Sequence, residues 1–334
     1  MRFRIVTTAG LLASMAGALQ AQGAAANTNC KALTADACQQ TVDLLNYMVP
    51  QIGTAMAGGN TTLAQGGTLG WRTVPPIPHF AVDVRFSVVL GNLPTLQTPA
   101  VTLPAATAPP ASRAFLTSTA PVPFPAVDAA IGVWKGFPVG VSTMGGVDLL
   151  LSASYIPSGK IDVITLEPDA SLKIGYGVRV GILQESLTMP GVGFSYIKRG
   201  TPKTTIKADA GSGATKTVLE IKDLELDATS WRFTVSKSLF LFGVSAGVGQ
   251  DKYDATTTIA LTPPAPATMA PFVLDNAAIT RTNYFADLSM NLLILKIVAG
   301  GGMVSGGDIT TYNSFDVKPD KSRMYGTVGV RLGL

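Results

Sequence analysis

The sequence predicts an all-β protein, an antiparallel transmembrane β-barrel of about ten to twelve strands and fourteen at most, preceded by a helical plug or cap. Three observations predict it. Several segments alternate apolar and polar residues with period two, which places the two sets on opposite faces of a strand. Charged residues are only 14% of the chain while mean hydropathy is positive, so much of the outside does not face water. Past the N-terminus no apolar run reaches the length a spanning helix needs, and the longest ones, 239–249 and 292–302, are short and Gly-interrupted. A closed barrel satisfies the backbone in lipid without such a run.

The chain opens with a basic pair, Arg2 and Arg4, then an apolar stretch from Ile5 to Leu19 and small residues, the layout of a secretory signal peptide over residues 1–26. Export exposes the two cysteines, Cys30 and Cys38, to an oxidising compartment, where they are expected to pair. Two Cys and one His allow no zinc pattern, and neither a cofactor nor a metal is implied.

Over residues 36–57 the period changes. Val42, Leu45, Val49, Ile52 and Met56 recur at three- and four-residue spacing, the stripe of an amphipathic helix, which Pro50 should kink or split. Such a stripe must bury against something. The mouth of the barrel nearest the first strand is the expected place, either as a plug in the lumen or as a cover outside it. Gly- and Pro-rich loop chemistry then runs to residue 78, so 27–78 form a helical plug and linker and 79–334 the barrel.

Residues 79–90 give the clearest strand, with Phe80, Val82, Val84, Phe86, Val88 and Leu90 toward lipid and Ala81, Asp83, Arg85 and Ser87 inward. The segment 91–125 is crowded with Pro, which cannot donate to a ladder, and is expected to be a long outer loop. Strands follow at 126–136, 146–156, 171–183, 190–200, 226–238, 239–253, 279–292 and 293–307. Residues 157–168, 201–222, 254–278 and 308–321 have outer-loop composition, and 203–227 could instead extend two strands beyond the membrane as a hairpin or add another strand pair. The closing strand 322–334 sets Met324, Val328, Val330, Leu332 and Leu334 against Tyr325, Thr327, Gly329, Arg331 and Gly333.

That last pattern resembles the C-terminal strand of bacterial outer-membrane β-barrel proteins, with Leu334 where the pattern usually ends in an aromatic residue. The whole layout also resembles, more loosely, the hydrophobic-compound transporters related to the long-chain fatty-acid channel, which carry an N-terminal hatch. An Asn-Pro-Ala type hatch signature is absent here. The resemblance implies an outer-membrane location, lipid as partner, small hydrophobic ligands, and transport gated by the plug. The alternative is a non-conducting structural or surface-display barrel whose outer loops bind partners.

Parity puts Asp83, Arg85, Asp148, Lys173, Arg179, Arg232, Arg281, Asp287 and Arg331 on the inward face, as a conduction path or as paired filling of a narrow lumen. Trp71, Trp134, Trp231, Tyr155, Tyr176, Tyr196, Tyr284 and Tyr325 are candidates for interfacial girdles. Enzyme readings fail on inventory: His79 is the only histidine and starts the first strand, and no phosphate loop or dinucleotide fingerprint is present. Basic residues are scattered, which argues against a nucleic-acid partner.

Overall fold

The computed structural model describes residues 24–30, 35–73, 76–94, 112–161, 164–210, 217–262 and 270–333. The first 23 residues of the expected signal peptide, the middle of the Pro-rich segment and Leu334 lie outside the described residues.

Ten strands close a ring. In chain order they are β1 (Phe80–Pro94), β2 (Thr117–Trp134), β3 (Val147–Tyr155), β4 (Leu172–Leu183) and β5 (Gly191–Gly200), then β6 (Thr217–Leu239), β7 (Phe242–Thr262), β8 (Phe272–Leu292), β9 (Leu295–Ser305) and β10 (Arg323–Gly333). Each pairs antiparallel with the next, and β10 pairs back onto β1 through Arg331↔Asp83 and Thr327↔Ser87. Closure leaves the ring without an unpaired edge, the condition for a sheet that stands in lipid. One-to-one register carries the sequence alternation into space: in β1 the residues from Phe80 to Leu90 alternate between exposed and buried, with Val88 half-buried.

Short turns gather at one end, where Leu239 meets Phe242 and Leu292 meets Leu295, and long connections gather at the other. Two expectations change at the long end. Residues 117–125 are strand, not loop: Pro121, Pro123 and Pro125 pair with Leu90, Val88 and Phe86 of β1. They share one parity, so their missing N–H groups fall on one side, and β3 joins β2 only from Ala126 onward. Above that point β2 is an edge, where proline is tolerated. Parts of 201–222 and 254–278 also continue as strand, because β6, β7 and β8 run beyond the ring, joined by the short strands 204–210, 164–168 and 159–161. The hairpin expected within 203–227 is thus part of this raised wall.

The helix, α1, spans Ala35–Ala57 as one element with Pro50 inside it. Proline removes one intrahelical bond, yet α1 is not split. Enclosure on all sides supplies the packing that holds a helix whose own propensity is interrupted. Its position also differs from expectation. The first turns pack with Ile221, Ile259 and Leu274 at the long end of the barrel, and Val49 to Ala57 pack with Val89, Phe124, Phe285 and Val304 deeper in the lumen. Residues 58–70 then descend to the short end. Thirteen extended residues reach about 40 Å, which lets a helix tethered to β1 sit in the far half of the lumen.

Candidate functional site

The lumen and the segment that fills it form the candidate site. Val42, Leu45, Val49 and Met56 are buried and Ile52 is half-buried, but so are the polar Gln39, Thr41, Asp43, Gln51 and Thr54. A helix buried all round has wall on every face, so each polar group needs a partner. Gln51 takes a two-way bond with the Asn92 backbone, at 3.0 and 2.7 Å. Asp43 accepts from Asn313 N at 2.8 Å, Asn313 Nδ2 at 2.7 Å and Tyr312 N at 3.0 Å. Tyr47 stacks on Phe315 with ring centres 4.3 Å apart. The disulfide Cys30–Cys38 and a bond from Ala24 N to the Thr311 carbonyl fix the start of the segment at the long end.

At the C-terminus of α1 the unpaired carbonyls carry a partial negative charge that favours cations. Two wall arginines meet it. Arg85 donates to the Gly58 carbonyl at 2.7 Å and the Met56 carbonyl at 3.1 Å, and Arg232 donates to Ala57 at 2.9 Å. Tyr325 Oη accepts from Gly59 N at 2.8 Å and donates to Asn283 at 2.7 Å. Tyr325 therefore faces the lumen and belongs to no girdle.

Below the helix, 58–70 is a polar coil seated on polar wall. Arg179 donates to Thr62 Oγ1 at 2.5 Å, Arg331 to the Thr62 carbonyl at 3.1 Å, and both Asp148 oxygens accept from Leu69 N, at 3.1 and 3.0 Å. Small residues allow the coil this close. A Cβ on Gly132 would run into the Gly70 carbonyl, and one on Gly193 into that of Gly66. The gap around Asn60, Arg179 and Ser195 is too small for a water molecule. A cleft of about 260 Å³ opens at the long end, between Ala24, Gln39, Asn46, Leu274 and Ile309.

Of the nine inward candidates, eight are buried in the lumen; Lys173 instead lies half-exposed at the rim, 2.5 Å from Glu225. Arg179 pairs with Asp148 at 2.5 Å, Arg232 with Asp251 at 2.5 Å, and Arg331 with Asp83 at 3.6 Å. Asp287 accepts from Ser245 at 2.7 Å. Arg281 donates to the Asp320 and Lys321 carbonyls, at 3.2 and 2.8 Å. Sequence reading missed Asp128, which bridges Arg85 at 3.2 Å and Arg199 at 3.3 Å, as well as the buried Asp251 and Arg323 and the half-buried Lys296. The same parity count along their strands would have found them. It also missed the role of 58–70, where small polar residues looked like linker. His79 stands at the short end with Nδ1 3.0 Å from the Leu69 carbonyl.

No family model matches the chain, and no curated protein matches it. Among solved structures it is similar to the outer membrane channel DcaP of Acinetobacter baumannii at 8% identity and a TM-score of 0.20, over 77% of this chain and 96% of that one. At that level of likeness the functional reading rests on the plug and wall of this chain alone.

Proposed function

We propose that the protein is an outer-membrane barrel that acts as a plugged channel for small solutes, closed at rest by residues 24–70. The outward apolar face of the ring suits a membrane, and the short turns at one end with long connections at the other suit the outer membrane with the short end in the periplasm. The observation that carries the gating reading is the Arg85 and Arg232 grip on the end of α1: reversible polar bonds, not covalent ones, hold the plug in the middle of the lumen. The wall beside α1 is apolar, at Val89, Phe124, Phe285 and Val304, and the wall beside 58–70 is charged. Displacing the plug would expose both zones in series, which suits small amphipathic solutes better than the purely hydrophobic ones the transporter resemblance implies.

A second reading, a permanently filled structural or display barrel, is favoured by one observation: the plug is fastened at the outer mouth through Asp43 and Asn313 as well as along its length. Planar-bilayer recording separates the two. On the channel reading, deletion of 31–70 produces steady conductance and Arg85→Ala/Arg232→Ala produces brief openings, while the native chain is silent. Silence in all three folded proteins would leave the structural reading standing.

A further inference from the structure

The short end of the barrel is built against the usual rules for water-facing turns. Two-residue hairpin turns favour Asn or Gly, which enter the left-handed region easily and hydrate well. Here the turns joining β6 to β7 and β8 to β9 carry Phe240–Leu241 and Leu293–Ile294. Phe240 and Leu293 sit at φ of 53° and 55°, a conformation bulky side chains resist. Both are fully exposed on the protein surface. Their neighbours Leu241 and Ile294 are more than half exposed, as are Phe137 and Val141 of the 137–144 hairpin and Leu187 of the β4–β5 turn at the same end. The backbone holds the two turns in place, for Asn291 N donates to the Leu241 carbonyl at 2.7 Å and Gly333 N to that of Ile294 at 3.0 Å.

Thickness says what covers them. On this side of the ring the outward face is apolar apart from Lys237, whose ammonium is bonded to the Ser186 and Leu187 carbonyls. It ends above at Tyr284 and the half-exposed Trp231, where Gln250 faces out beside Trp231 and Lys252 beyond it. Trp231 to Leu239 and Tyr284 to Leu292 are each eight steps, about 26 Å along the strand and about 20 Å in height at a tilt of about 40°. The apolar band of such a barrel is about 25 Å tall. The strands alone fall short by about one turn's height, and the turns that would supply it are apolar and continuous with Leu239, Phe242 and Leu292.

We propose that these turns are immersed in the acyl chains of the periplasmic leaflet, so that the hairpin tips form the inner edge of the membrane band and set the depth of the barrel. This rests on the outer-membrane reading above. The strained, dehydrating turn residues then have an apolar phase to occupy, and β6 to β9 need no polar extension on that side. The partner is lipid, not a periplasmic protein seated on the tips.

The test is nitroxide accessibility in the full-length barrel in phosphatidylcholine vesicles, with single labels at Leu241→Cys, Ile294→Cys, Val244→Cys and Lys252→Cys; the native cysteines are already paired. Collision with oxygen should exceed collision with a water-soluble nickel complex at 241 and 294, matching Val244, while position 252 shows the reverse. If 241 and 294 behave like 252 while 244 is lipid-like, the turns stand in water and the proposal falls with the membrane reading intact. Water-like behaviour at 244 would overturn both.

Discussion

Arg232 ties the barrel wall to the end of the plug helix: its guanidinium lies 2.5 Å from Asp251 on the neighbouring strand and donates to the Ala57 carbonyl at 2.9 Å. One side chain thus balances a buried carboxylate and caps a helix C-terminus. Arg232→Ala is expected to leave the buried Asp251 without its salt-bridge partner and to destabilise the folded barrel by about 3–5 kcal/mol. Urea unfolding in detergent, followed by heat-modifiable gel migration, measures it. Arg232→Lys should lie between, since an ammonium keeps the charge but loses the bonds that Nε and Nη1 donate to the Gly59, Trp231 and Gln250 carbonyls.

Close approach of plug and wall gives a second expectation. At Gly193 any side chain meets the Gly66 carbonyl, so Gly193→Val should overpack the contact by about 1–3 kcal/mol and loosen the coil while the ring still closes. Limited proteolysis of the folded protein should then cut within 58–70 faster than in the native chain.

Closure of the Cys30–Cys38 loop pins the chain ahead of α1. Cys30→Ser/Cys38→Ser should cost about 2–3 kcal/mol of local stability at that end. Hydrogen exchange is expected to speed up over 24–40 and to stay unchanged in β1 and β10.

Asp43 supplies a pH dependence. Burial pushes its carboxyl above the ordinary 3.8, against the lowering effect of the bonds from Asn313, Tyr312 and Gln39. The docked state therefore holds the proton more tightly than the free one. Docking at the long end should be strongest below pH 3.8, weaken as pH rises from there through the raised value, and stay flat above it. Exchange rates of the Tyr312 and Asn313 amides across that window report it, and Asp43→Asn should abolish the trend.

Much of the ring was legible because one rule, alternation, decides both strand and orientation. Phe80 to Leu90 and Leu172 to Ile182 announce their faces residue by residue, and the ten strands expected from such segments are the ten of the ring. The rule failed where a second condition applied. Pro121, Pro123 and Pro125 looked incompatible with a ladder because sequence does not show that β2 has a single neighbour there. The helix was visible from its stripe but not its depth, since the same stripe fits a mouth or a lumen. The lower plug was invisible: Gly58 to Gly70 form no periodic element, and their partners Arg179, Arg331 and Asp148 lie at least 79 residues away.

The central claim, that the chain's own N-terminal segment runs through and closes the lumen, has a direct test. Thr61 Oγ1 lies 3.1 Å from Ser195 Oγ, with both residues buried at mid-wall. Thr61→Cys/Ser195→Cys, refolded into vesicles and oxidised, should form a cross-link that leaves no thiol for a maleimide reagent and yields a covalent loop on denaturing gels. Two free thiols labelled at the rate of surface cysteines in the folded barrel would mean that the segment does not occupy the lumen.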